Sequence, residues 1–186
     1  ADTAEGRLLA EARRRLDRGD RGPAALVPVP ATLSLRDPAT TSTQAAFGRT
    51  LLDLSRVEGV AERLVTVAPD VSSSTNLGGF INKTGVWGPD EEPVYDAMDD
   101  SPLKWRVGPG GQHIEMGIAE MNLVLLLGQL GLSWDFQRER LFPIGTLYDP
   151  FVMRALEGIV YSTYSGSRFV LAGIVNRMDR AFASPD

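Results

Sequence analysis

The sequence predicts an α/β domain with a mostly parallel sheet flanked by helices. Short β-branched runs stand at 63–70 (RLVTVAPD) and 168–175 (RFVLAGIV), with another strand pattern at about 141–146. A strongly apolar helical stretch precedes the middle run and a second helical pattern comes after it. The order strand, helix, strand, helix, strand is that of parallel strands joined by crossovers. With 186 residues, 43% of them hydrophobic, the chain is long enough to bury one sizeable core.

In chain order, residues 3–18 are charge-rich with Leu8, Leu9, Ala12 and Leu16 at helical spacing, and end in the breaker series GDRGP, which predicts a short, mostly solvated helix. Prolines at 23, 28, 30 and 38 then impose an extended connector, because each lacks an amide donor and restricts its predecessor. Residues 1–41 are accordingly a helix plus connector, and 42–186 form the α/β domain. Ser42 or Thr43 offers an N-cap to QAAFGRTLLDLSRV, whose Phe47, Leu51, Leu52 and Leu54 share a face. The strand at 63–70 delivers Asp70 at its C-terminal end. Residues 71–101, rich in Ser, Gly, Asn, Asp and Pro, predict a long irregular excursion with a helical turn near 77–82. A strand at 103–107 comes next, then the glycine-rich turn GPGGQ and a helix from about Met116 to Leu130, apolar nearly all round and therefore buried. The strand at 141–146, a helix from about Pro150 to Tyr164 and the strand at 168–175 complete the pattern.

Charge and composition remove several functions. Nineteen Lys and Arg against 24 Asp and Glu give a net charge of -5, the wrong sign for neutralising nucleic-acid phosphates or docking on an anionic membrane. The absence of Cys excludes disulfides, thiolate metal sites and a Cys nucleophile, and the single His113 leaves no second histidine for a zinc site or a triad elsewhere. No apolar run approaches the ~20 residues of a membrane span, and the N-terminal residues lack the pattern of a secretory signal. A soluble, cytoplasmic protein is expected.

The candidate chemistry is sparse. Glu120 is the only acidic residue in the predicted 116–130 helix, among Ile118, Leu123, Val124 and Leu125. A carboxylate in such surroundings is costly to ionise. Alternatively it lies on the exposed side of a first turn and only complements the helix dipole. Asp70 is either a ligand-facing residue at a strand end or a turn former aided by Ser72, Ser73 and Ser74. Tyr148 and Phe151 either stack on a flat ring or belong to the core. Glycines 108, 110 and 111 tempt a phosphate-loop reading, but neither a Walker motif nor a dinucleotide fingerprint is complete. His113 fits a satisfied structural histidine better than a base.

Taken together, GQHIEMGIAEMN, STQAAFGRTLLDL, LVTVAPD and LFPIGTLYDPFVMRAL resemble the pyrimidine-binding (middle) domain of the transketolase superfamily, with the closest likeness to the homodimeric type of pyruvate dehydrogenase first component. The resemblance covers about residues 42–174, and its most specific block is Gly117-Ile118-Ala119-Glu120 followed by a long apolar helix. It implies a thiamine diphosphate enzyme acting on a 2-oxo acid or ketose, by decarboxylation and acyl or ketol transfer. By that resemblance Glu120 is the catalytic glutamate that bonds the ring nitrogen of the cofactor's aminopyrimidine. Asp70, Ile118, Tyr148 and Phe151 then fall on cofactor-binding positions.

The departures define what else is expected. The family's diphosphate and magnesium motif, Gly-Asp-Gly followed by Asn, is absent, so a partner chain or domain is expected to supply the Mg2+ ligands and the diphosphate site. That implies a hetero-oligomer or a dimer of such pairs. Where the family has a substrate-binding loop after the FVLAGI strand, this chain has VNRMDRAFASPD, and Val71 stands after Asp70 where pyruvate dehydrogenase relatives are acidic. The alternative is a non-catalytic assembly module that keeps the fold.

Overall fold

The computed structural model describes residues 3–17, 29–32, 41–91 and 105–174. Most of the connector, positions 92–104 and the segment 175–186 lie outside the described residues. Six strands form one sheet, β1 (Leu64–Ala68), β2 (Val86–Trp87), β3 (Val107–Gly108), β4 (His113–Glu115), β5 (Phe142–Tyr148) and β6 (Val170–Ile174). Their order is β3-β2-β4-β1-β5-β6, and every neighbouring pair is parallel. The predicted α/β class with a mostly parallel sheet is therefore the observed one.

Central β1 explains itself. Only Val65 of its LVTVA run escapes full burial, as expected of a strand covered on both faces. One face carries α2 (Thr43–Leu54) and α3 (Gly78–Thr84), with Leu51, Leu64, Leu77, Phe80 and Ile81 in a common cluster. The other carries α4 (Glu120–Gly131) and α6 (Leu156–Tyr164), where Val67, Leu123, Val124, Leu127 and Leu147 pack together. Short α5 (Ser133–Gln137) comes directly after α4. Ser42 caps α2 by accepting from the Ala45 amide at 3.1 Å. The first helix, α1 (Ala4–Leu16), is capped by Thr3 and buries no residue, in keeping with its solvated sequence.

Several boundaries differ from the sequence pattern. The apolar periodicity starts at Met116, yet α4 begins only at Glu120. Gly117 takes φ +64 and Ala119 stands at φ -151, ψ 76, neither of them helical, which ends any helix running through them. The residues before them, His113–Glu115, become a strand because they add to β1, with Thr66 opposite His113 and the Met116 amide donating to the Ala68 carbonyl at 3.0 Å. Nor is α4 buried all round: Leu125 is 41% exposed. Of the strand expected at 103–107, positions 103 and 104 lie outside the described residues; the described strand is Val107–Gly108, which pairs with β2 inside the stretch expected to be irregular. The helix expected from Pro150 opens instead as a 3-10 segment, Asp149–Ala155, before α6 begins.

Candidate functional site

Parallel strands deliver their outgoing connections to one edge of the sheet. After β1 the chain leaves toward β2, and after β4 it crosses over β1 to β5, so the adjacent C-terminal ends of β1 and β4 send their connections to opposite faces. A crevice opens at such a switch point, and it is where open α/β sheets hold ligands. Asp70 lies just past β1, Glu115 ends β4, and Glu120 stands beyond β4 across the Gly117 bend. Tyr148 ends β5, and Phe151 lies three residues past it.

Glu120 is 5% exposed and is the first residue of α4. The two alternatives drawn from its sequence thus merge: the carboxylate sits in the first turn, favoured by the helix dipole, and it is buried. The expectation of a carboxylate surrounded only by apolar groups is corrected by a cationic partner. Arg154, on the 3-10 segment, donates from Nη1 to Glu120 Oε1 at 3.2 Å. The same guanidinium carbon lies 4.2 Å from the centre of the Phe151 ring. Phe151 in turn faces Tyr148, with ring centres 6.2 Å apart and planes inclined at 57°. The Tyr148 hydroxyl meets the Ser74 hydroxyl of the loop after β1. A continuous line of contacts therefore runs Glu120, Arg154, Phe151, Tyr148, Ser74. Both rings are half-buried, between the stacking and core alternatives.

Asp70 and Ile118 do not join this line in direct contact. Asp70 is exposed, with φ +63, a left-handed conformation that Asp tolerates and that turns the chain away from β1. Ile118 stands 76% exposed on the bend before α4.

The neighbouring β4 carries a second polar pair. His113 is fully buried, with Nδ1 2.8 Å from the Thr66 hydroxyl and Nε2 donating to Glu115 Oε1 at 2.9 Å. It is a satisfied structural histidine. Burial pushes the Glu115 carboxyl up, but hydrogen bonds from His113 and Ser72, the charge of His113 and the Asp70 amide outweigh it and hold the pKa below the ordinary value. An apolar cavity of about 490 Å3 lies at the opposite end of the sheet, against the first residues of β1, β5 and β6 and the ring of Trp134. Neither the line from Glu120 to Ser74 nor the His113–Glu115 pair contributes to its walls.

No family model matches the chain. Over 110 residues, 59% of its length, it is 27% identical to the pyruvate dehydrogenase E1 component of Corynebacterium glutamicum, of which it covers 12%. Its fold superposes on transketolase from Leishmania mexicana with a TM-score of 0.52 over 74% of this chain and 17% of that one, at 16% identity. The fold is therefore shared with that transketolase, and the sequence likeness is to a short part of a pyruvate dehydrogenase E1 component.

The sequence motifs gather at the C-terminal edge of the sheet but pass over Arg154 and Glu115. A signal for Arg154 exists, since it is the one charge in FVMRAL, three residues beyond Phe151. Glu115 is signalled by its period-two spacing from His113, recognisable once HIE is read as a strand. Among the described residues no helix is long and apolar enough to cross a membrane, and no three His, Asp or Glu side chains are grouped to hold a metal ion.

Proposed function

We propose that this domain supplies the pyrimidine half of a thiamine diphosphate site, completed by a diphosphate-binding chain or domain, in an enzyme acting on a 2-oxo acid or ketose. The observation that carries the reading is Glu120, a buried carboxylate at the first turn of α4, joined to the Tyr148 and Phe151 ring pair through one planar group. That group is the Arg154 guanidinium, flat and hydrogen-bond donating, and its fit between Glu120 and Phe151 supports the view that an aminopyrimidine ring fits the same place. When bound, the cofactor supplies a nucleophilic carbon and an electron sink.

The chain's own residues would hold and protonate the ring. Glu120 Oε1 would hold the ring nitrogen and exchange a proton with it, a task for which a carboxyl screened from bulk water is suited. Phe151 and Tyr148 offer faces to the ring, with the Tyr148 hydroxyl anchored on Ser74. Ile118, exposed on its bend, is available to cover the ring from the other side. Asp70 closes the crevice at the end of β1. Mg2+ ligands would come from the diphosphate-binding chain or domain, since residues 1–186 carry no Gly-Asp-Gly motif. A partner is further supported by apolar side chains in a row along α6, where Leu156 is 46%, Val160 61% and Tyr164 89% exposed.

The test is calorimetric titration of thiamine diphosphate with Mg2+ into the full chain, alone and mixed with its diphosphate-binding partner. Binding only in the mixture is expected. Glu120→Gln should weaken it by about tenfold, the worth of one hydrogen bond to a charged group, while the complex still assembles. An intact complex that binds no cofactor would overturn the reading and leave the assembly module.

A further inference from the structure

Arg154 occupies the seat between Glu120 and Phe151. Its guanidinium covers the face of Phe151 at 4.2 Å and takes the Glu120 oxygen at 3.2 Å. A planar heteroaromatic ring that stacked on Phe151 and bonded Glu120 through a ring nitrogen would need the same face and the same oxygen. The two occupants exclude each other.

We infer that Arg154 is an internal latch: in the free chain it holds the place of the ring, and ring binding requires it to swing out. This rests on the proposed function for the identity of the ring. The motion is cheap in the direction required. The Arg154 side chain is 56% exposed while that of Glu120 is 6% exposed, so water takes over solvation of the departing guanidinium. The anchor is a 3-10 segment, Asp149–Ala155, whose hydrogen bonding is looser than that of an α-helix, and Val152, Met153 and Arg154 on it are all exposed. The buried carboxylate, for its part, exchanges the guanidinium for the ring nitrogen as a hydrogen-bond partner. A latch of this kind lowers the apparent affinity by the fraction of chains in which the seat is free. It also makes Arg154 a filter, since a ligand lacking either the flat face or the hydrogen-bonding edge would not displace it.

The test uses the aminopyrimidine fragment of the cofactor, 4-amino-5-hydroxymethyl-2-methylpyrimidine, titrated into the full chain and followed by NMR. Because this fragment has no diphosphate, it needs no partner. Arg154→Gln is expected to bind it about five- to tenfold more tightly than the wild type, as removal of a competing internal occupant requires. Arg154→Lys keeps the charge but not the plane and should also bind more tightly. In the wild type, the Arg154 side-chain Nε–H resonance should shift to a solvent-exposed position as the ring is added. Equal affinity in wild type and Arg154→Gln would overturn the latch and leave the Glu120–Phe151 seat standing. Weaker binding by Arg154→Gln would overturn it too and make Arg154 a ring-binding residue. A gain in Arg154→Gln without one in Arg154→Lys would reduce the effect to charge and overturn seat occupancy. Failure of all three proteins to bind the fragment would overturn the reading of the site itself, and the latch with it.

Discussion

A carboxylate taken out of water ordinarily becomes harder to ionise, and Glu115 goes the other way. The His113 hydrogen bond at 2.9 Å, with Ser72 and the Asp70 amide, more than offsets its burial. Its folded-state pKa therefore lies below the unfolded one. The stabilisation this gives is present in full at neutral pH and is lost as pH falls through the carboxylate range, below the ordinary 4.5. Glu115→Gln should cost about 1 kcal/mol at pH 7, where it loses a charge-assisted bond. The gap to the wild type should close as acidification through the carboxylate range protonates the wild-type carboxylate itself. Urea unfolding of both proteins at several pH values measures this. A gap that stayed constant with pH would mean that the bond to His113 owes nothing to the charge. Glu120 differs in kind: its partner Arg154 is mostly exposed, so its carboxylate is held by a group that can leave, whereas that of Glu115 is held by one that cannot.

Helix α2 and the loop after β1 approach closely at Gly48. An added Cβ there would lie 2.3 Å from the Asn76 carbonyl oxygen, and Asn76 itself stands at φ +62 in the loop that carries Ser72, Ser74 and Thr75. Gly48→Ala gains about 1 kcal/mol of helix propensity in α2, but the contact is with backbone, which cannot rotate away. A net loss of about 1–2 kcal/mol is expected, read as a fall of several degrees in the thermal midpoint. Unchanged or raised stability would show that the loop yields. This contact is not legible in the sequence, because it joins two distant residues through a loop without periodic pattern. Local signals do better. The Ser42 cap, the β-branched run of β1 and the strand FVLAGI are legible because propensity, burial and hydrogen bonding agree there. At GQHIEMGIAE they conflict: the pattern predicts a glycine-rich turn running into a helix from about Met116, whereas pairing with β1 takes HIE into the sheet and Gly117 turns the chain. The position of Glu120 is thus legible while its burial is not, and Arg154 enters the site only because β5 and the 3-10 segment bring residue 154 back over the start of α4.

At the scale of the molecule, stability resides in two clusters on the two faces of one parallel sheet, and α1 belongs to neither. Its leucines stand in water, with Leu8 69%, Leu9 71% and Leu16 72% exposed. What holds it together is local: the Thr3 cap on the Gly6 amide at 3.1 Å and an exposed pair between Glu11 and Arg15. Such contacts are worth about 0.5–1 kcal/mol each to the helix itself and nothing to the sheet. A 13-residue helix that buries none of its residues is also near the lower limit of what persists in water. Deleting residues 1–17 should therefore leave the unfolding free energy within about 0.5 kcal/mol of the full chain, with an unchanged denaturant slope, since that slope tracks the surface exposed on unfolding. Far-UV circular dichroism should lose helical signal without a change in the cooperativity of the transition. A loss of more than about 1 kcal/mol, or a smaller slope, would mean that the apolar stripe of α1 is covered by the domain in solution, and that the stability of the sheet extends beyond its two faces.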